Sequence, residues 1–132
     1  YAPVAEAAAW FAQAPGSAAP LEALRDAVLG YLRAGQDGST LSSGEMQRLR
    51  LARLLAAPRP GRVAVLLDEP TRGLGLDDVD RLLGVLDRLA AEGHLVVVVE
   101  HHPAVLAAAD RIVELGPEGG ERGGRIVRAG AP

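Results

Sequence analysis

Two short stretches carry residue types suited to phosphate chemistry. Residues 41–48 read Leu-Ser-Ser-Gly-Glu-Met-Gln-Arg, and residues 66–71 read Leu-Leu-Asp-Glu-Pro-Thr. Asp68 and Glu69 are adjacent carboxylates that close an apolar run. Transfer of a phosphoryl group to water needs a hard cation held by carboxylate or water, and a second group that orients the attacking water. Asp68 suits the first role, as a ligand of Mg²⁺ through water. Glu69 suits the second, as base or water-positioner. Ser42, Ser43, Gly44 and Glu45 stand where a helix is expected to begin. Free N–H groups and the positive end of the helix dipole make such a place anion-seeking, and serine hydroxyls add donors. A γ-phosphate is a natural ligand there. An isolated Asp-Glu is more often a solvated turn, and a lone Ser-Gly pair more often a plain helix cap. Their occurrence together, with Pro70-Thr71 behind the carboxylates, argues for a nucleotide.

His101 adds a third element. It follows the apolar run 95–99 and Glu100, so it sits at a strand's carboxyl end, where an imidazole can donate a hydrogen bond to a transferring phosphate. It lies 33 residues after Asp68, one strand-loop-helix-strand unit, which returns the chain beside Asp68 in a parallel sheet. The neighbouring His102 and the earlier His94 are read as loop residues. Arg50 and Arg53 are read as a solvated helix face. Trp10 and Phe11 could stack on a base, but on an amphipathic helix they are expected as core anchors. The run 116–124, Gly-Pro-Glu-Gly-Gly-Glu-Arg-Gly-Gly, has glycine in common with a phosphate loop but lacks its lysine and following helix, so a turn is expected.

The elements that must position these residues follow from spacing. Residues 3–13 read as a helix, with Val4, Ala7, Ala8 and Phe11 at helical intervals. Residues 15–20 read as a breaker-rich linker. Residues 21–34 read as a second helix that presents Leu21, Leu24, Val28, Tyr31 and Leu32 and stops at Gly35. Ser42 or Ser43 caps a helix running to about residue 57. Residues 63–67 and 95–99 are continuous apolar runs, the pattern of strands buried on both faces. Between them, Asp77 is expected to cap a helix striped by Val79, Leu82, Leu83, Leu86, Leu89 and Ala90, closed by Gly93. Pro103 opens a short helix to 109, and 111–115 and 125–128 are short strands. The alternation of strand and helix predicts an α/β fold with parallel pairing. Two segments are expected, a helical one over 1–60 and an α/β lobe over 61–132.

Bulk properties set bounds. The 132 residues, 48% hydrophobic and 23% charged, suit one globular domain with a core of its own. The net charge of −3 makes no general demand for nucleic acid or an anionic surface. All 14 basic residues are arginine, so no Gly-x-x-x-x-Gly-Lys-Ser/Thr phosphate cradle exists in the chain. The absence of cysteine excludes disulfides and thiolate metal sites. No apolar run approaches the ~20 residues that span a bilayer, so no membrane partner is expected. The start, Tyr1-Ala2-Pro3, reads as neither a signal peptide nor a natural beginning, and the expected compartment is the cytoplasm.

Together these residues resemble the ABC ATPase superfamily and, within it, the UvrA family of bacterial nucleotide excision repair. Residues 29–36 resemble the UvrA stretch that precedes its signature loop, and 41–48 resemble the signature. Residues 67–74 resemble Walker B with the D-loop. Glu100-His101 and 109–120 resemble the H-loop and tail. The Gly-Pro-Glu-Gly-Gly form and the final Gly130-Ala131-Pro132 are similar to the second nucleotide-binding domain of UvrA. The resemblance implies an ABC-type P-loop NTPase half-domain without its Walker A part, with a parallel β core, flanking helices and an N-terminal helical signature segment. It implies ATP and Mg²⁺ as ligands of the complete protein, with Asp68, Glu69 and His101 serving one site and Ser42, Ser43, Gly44 and Glu45 reaching across to another. The 132 residues by themselves are then expected not to turn ATP over. The implied partners are the rest of the chain, a second copy of the parent, DNA and a UvrB-like protein. The zinc modules of the family need cysteines, so no zinc is expected here. Ser43 stands where the family usually has glycine, and Arg72 and Gly75 where UvrA usually has threonine and histidine. These departures point toward a divergent paralogue, such as the UvrA-like proteins of drug resistance. The other readings are a transporter ATPase subunit and a degenerate, non-catalytic interaction module.

Overall fold

The computed structural model describes residues 2–14, 16–57, 60–118 and 123–132. In chain order they form helices α1 (Val4–Trp10) and α2 (Ala18–Asp26), a 3₁₀ turn (Gly38–Thr40), α3 (Ser43–Ala56), strand β1 (Ala64–Asp68), α4 (Leu76–Ala91), β2 (Leu95–Val99), α5 (Pro103–Ala108), β3 (Ile112–Gly116) and β4 (Arg125–Gly130). They group into two compact units, Tyr1–Val99 and Glu100–Pro132. The segment boundary expected near residue 60 falls inside the first unit.

In the first unit β1 and β2 pair in parallel, with Asp68 opposite Val99. Side chains alternate along a strand, so each strand offers two faces. Val65, Leu67, Val96 and Val98 pack onto a core that holds Val28, Leu51, Leu82, Val85, Leu86 and Leu89. Burial on both faces was expected and is not found. Leu66, Leu95, Val97 and Val99 are 73%, 61%, 42% and 62% exposed. The described elements of the first unit cover only one side of this sheet and leave its second apolar face open. The helix joining the strands begins at Leu76 with Gly75 as its N-cap, not Asp77. Asp77 and Asp78 sit in its first turn instead, where a carboxylate favours the dipole. Its buried stripe is Val79, Leu82, Val85, Leu86 and Leu89.

α2 differs most from its expected span of 21–34. It begins at Ala18, inside the expected linker, with Pro20 in its first turn, where no intrahelical N–H is required. It ends at Asp26. The Val28 N–H bonds to the Arg25 carbonyl at 3.1 Å and the Leu29 N–H to the Leu24 carbonyl at 2.9 Å, a Schellman closure with Val28 at φ 61°. A β-branched residue is strained in that region. Burial of Val28 in the main core offsets the cost. Leu29 and Leu32 then join Val4 in a second cluster without being helical. Trp10 and Phe11 are 65% and 47% exposed and are not core anchors. α1 buries Val4, Ala7 and Ala8, and two turns of that face leave Trp10 outside it.

In the second unit, β3 does not continue the parallel ladder. It pairs antiparallel with β4, with a register irregularity between Glu114 and Leu115. A short connection between neighbouring strands permits antiparallel pairing, whereas parallel pairing needs a crossover. Part of the glycine-rich run between them, residues 119–122, lies outside the described residues.

Candidate functional site

The first group of site residues is built at the start of α3. Ser42 is its N-cap, with extended backbone, and its Oγ accepts from the Glu45 N–H at 3.2 Å. Glu45 Oε2 accepts from the Ser42 N–H at 2.8 Å, completing a capping box. Ser43 is the first helical residue and is exposed. Gly44 is tightly placed: a Cβ there would stand 3.3 Å from Arg48 Nη1. Of the two positions, 44 is the one closely approached by the guanidinium, while Ser43 is exposed and adds its hydroxyl.

Glu45 is held from two sides. The Tyr31 hydroxyl donates to Glu45 Oε1 at 2.6 Å, and this bond, followed by that from the Ser42 N–H, keeps the carboxyl below the usual glutamate range. Burial, and then Glu45 itself, push the Tyr31 phenol up. A depressed carboxyl pKa means that the contribution of Glu45 to stability is fully present above the unfolded glutamate value. It is lost as pH falls through the lower folded value. Tyr31→Phe removes the largest cause, so Glu45 is expected to titrate closer to an ordinary glutamate in a carboxyl NMR titration. An unchanged titration would show that the Ser42 N–H alone sets it.

The second group stands at the carboxyl end of β1, where parallel α/β sheets bind ligands. Asp68 is its last residue and is exposed. Glu69 follows with φ 45°, a left-handed conformation that costs a non-glycine residue on the order of 1–3 kcal/mol. Its N–H bonds to the Val99 carbonyl at 2.9 Å, and its carbonyl accepts from the Arg72 N–H at 3.1 Å across a turn with Pro70 at the second position. Glu69 Oε2 lies 3.8 Å from Arg72 Nη1, an exposed ion pair of small worth. Spacing alone did not single out Gln47 or Tyr31. Gln47 exchanges two hydrogen bonds with the Asp68 backbone, at 2.8 and 2.9 Å. Arg48, 3% exposed, donates to the Pro70 carbonyl at 3.2 Å. Arg50 and Arg53 are exposed, as expected.

His101 is the second residue of the second unit and is exposed. Glu100 Oε2 accepts from the His101 and His102 N–H groups at 2.9 and 3.1 Å. His102 caps α5, its Nδ1 accepting from the Ala104 N–H. His94 Nδ1 accepts from the Val63 N–H at 3.3 Å. Both have structural duties, in keeping with their reading as loop residues. Among the described residues no group of three or more His, Cys, Asp or Glu is arranged to hold a metal. One or two carboxylates nevertheless suffice for Mg²⁺ when water and phosphate complete its shell. The exposed Asp68 at a strand end fits that donor set.

No protein-family profile matches the chain. Individual proteins do. Over 129 residues the chain is 50% identical to the UvrABC system protein A of Aquifex aeolicus and 49% identical to that of Thermus thermophilus, covering 98% of this chain and 14% of each relative. The crystal structure of UvrA2 from Deinococcus radiodurans superposes with a TM-score of 0.87 at 44% identity, over 98% of this chain and 16% of that one. The chain belongs to the UvrA family. It spans about a seventh of the length of the curated UvrA relatives it matches. An ATP-binding cassette solved as a dimer with ADP and phosphate also matches, with a TM-score of 0.52 at 29% identity over 82% of this chain. The fold is therefore that of an ABC-type α/β ATPase half-domain within UvrA. No helix among the described residues is long and apolar enough to cross a membrane.

Proposed function

We propose that this chain is the C-terminal part of the second nucleotide-binding domain of a UvrA-like ATPase, which uses ATP binding and hydrolysis to recognise DNA damage. The observation that supports this most directly is the near-complete match to UvrA proteins, together with two carboxylates placed at the end of β1. In this reading Asp68 holds Mg²⁺ through water, and Glu69 orients the water that attacks the γ-phosphate. His101 donates a hydrogen bond to the transferring phosphate. The cation supplies charge neutralisation on the phosphate oxygens. Ser42, Ser43, Gly44 and Glu45 present helix N–H groups to the γ-phosphate of a different ATP. The chain has no lysine, so the phosphate cradle comes from other residues of the parent protein. The parent then works in the cytoplasm as a homodimer on DNA with a UvrB-like partner.

The test is DNA binding by the full-length protein, with and without ATP and Mg²⁺, across a salt series. The expected result is nucleotide-dependent affinity whose logarithm falls linearly with log salt as phosphate contacts release counterions. Affinity indifferent to nucleotide, with the protein partitioning to membranes, would overturn the repair reading in favour of a transporter subunit.

A further inference from the structure

Within the first unit, the two groups of site residues are joined by side chains from one helix. Successive residues of a strand turn their backbone groups to opposite sides. The Glu69 N–H turns toward β2 and the Val99 carbonyl. The Asp68 N–H and carbonyl turn away, and there they meet Gln47 Oε1 at 2.9 Å and Nε2 at 2.8 Å. A side-chain amide thus completes the outer edge of β1 at the residue whose carboxylate faces the proposed cation. One position on, Arg48 reaches the Pro70 carbonyl, one residue past Glu69. Its Nη1 is also the atom that a Cβ on Gly44 would meet at 3.3 Å, with the Arg72 carbonyl at 3.9 Å on the same side. The start of α3, the guanidinium and the turn at residues 69–72 are therefore in contact.

Stability alone does not account for this choice of residues. Arg48 is 3% exposed, and among the described residues its Nε has no hydrogen-bond partner. A buried donor left unsatisfied is costly, and an apolar side chain of similar shape packs as well or better. The geometry points to Gln47 and Arg48 as positioning residues that couple the anion-seeking start of α3 to the carboxylates at the end of β1. Residues 43–48 lie on a single helix, which moves as a rod, so a displacement of its first turn by a bound phosphate is carried to Asp68 and Pro70. The two groups of site residues serve different ATP molecules in the reading above, on which this inference rests. The pair therefore links occupancy of one nucleotide site to the geometry of the other.

The experiment is steady-state ATP turnover and nucleotide affinity in the full-length protein carrying Gln47→Met, Arg48→Met or Arg48→Lys. Gln47→Met keeps side-chain length and helix propensity while removing both amide bonds. It is expected to lower kcat about tenfold, toward the lower end of the usual size of coupling between sites, with nucleotide affinity and unfolding temperature little changed. Arg48→Met is expected to lower kcat likewise, and Arg48→Lys, which retains a donor toward Pro70, to recover much of it. Unchanged kcat in Gln47→Met would overturn the coupling. So would a parallel fall of kcat, affinity and unfolding temperature, which marks a merely structural contact. If the unsubstituted protein turns over no ATP, the nucleotide reading itself fails, and the coupling fails with it. That outcome is visible before any variant is made.

Discussion

Glu69→Gln in the full-length protein is expected to lower steady-state ATP turnover on the order of 10²-fold or more while nucleotide stays bound. The amide has the shape of the carboxylate, so the turn at residues 69–72 and its backbone bonds to Val99 and Arg72 persist. The ion pair lost with Arg72 spans 3.8 Å between exposed groups and contributes little. What the substitution removes is the negative, basic oxygen that the proposed function assigns to orienting water. The left-handed backbone of Glu69 supports a functional reading, since strained residues persist where the surrounding structure over-determines them and the aim of a side chain matters. Retention of labelled nucleotide through gel filtration, alongside the turnover assay, checks the result. Turnover equal to that of the unsubstituted protein would remove Glu69 from the catalytic role.

The second large effect is on folding. Leu82 is 1% exposed and packs in the cluster that holds Leu67, Leu86 and Leu89. Leu82→Ala is expected to cost about 2–5 kcal/mol, the transfer term plus that of the cavity left behind. Against the roughly 5–15 kcal/mol that holds a typical domain together, that is a large share. Urea unfolding followed by circular dichroism should show a lower midpoint at an unchanged slope. The effect would also reach the site, because Leu67 precedes Asp68 on β1 and is seated by the same cluster. A loss below 1 kcal/mol would mean that the region collapses around the missing atoms and is packed less tightly than its burial indicates.

The legible parts of this chain are those in which local chemistry and tertiary packing agree. α4 ends at Ala91 and is closed by Gly93, φ 88°, with the Gly93 N–H bonded to the Ala90 carbonyl and the His94 N–H to the Leu89 carbonyl. α2 ends in the same closure, but at its left-handed position stands Val28. Glycine announces such a stop, because it alone adopts that backbone without strain. Valine does not announce it, and the helical spacing of Val28, Tyr31 and Leu32 suggested that the helix continues. Only burial in the core explains the stop, and burial is not local information. The cap at Ser42 was legible for the same reason as Gly93, and β1 and β2 were legible from their apolar runs. Gln47 was not, because its partner is the backbone of a strand 21 positions away, which carries no side-chain signature. The antiparallel pairing of β3 with β4 was hidden by a sequence pattern that parallel and antiparallel strands share.

The open face of the β1–β2 sheet governs how this chain behaves at high concentration. Leu95–Val99 is a run of five β-prone residues with no charge and no proline, and three of its side chains face water. Among the described residues neither strand pairs with a third, so β2, and β1 short of Asp68, keep outer backbone groups able to template another strand. Natural sheets protect such edges with lysine, proline or a bulge, and this one has none of them within β2. Two copies meeting there can satisfy both the edge and the apolar face, and each pairing leaves a fresh edge for the next copy. Handled as an isolated polypeptide, the chain therefore has a colloidal weakness at one known address. A single charged residue in place of Val97 would correct it without touching Asp68, Glu69 or the helix that grips them.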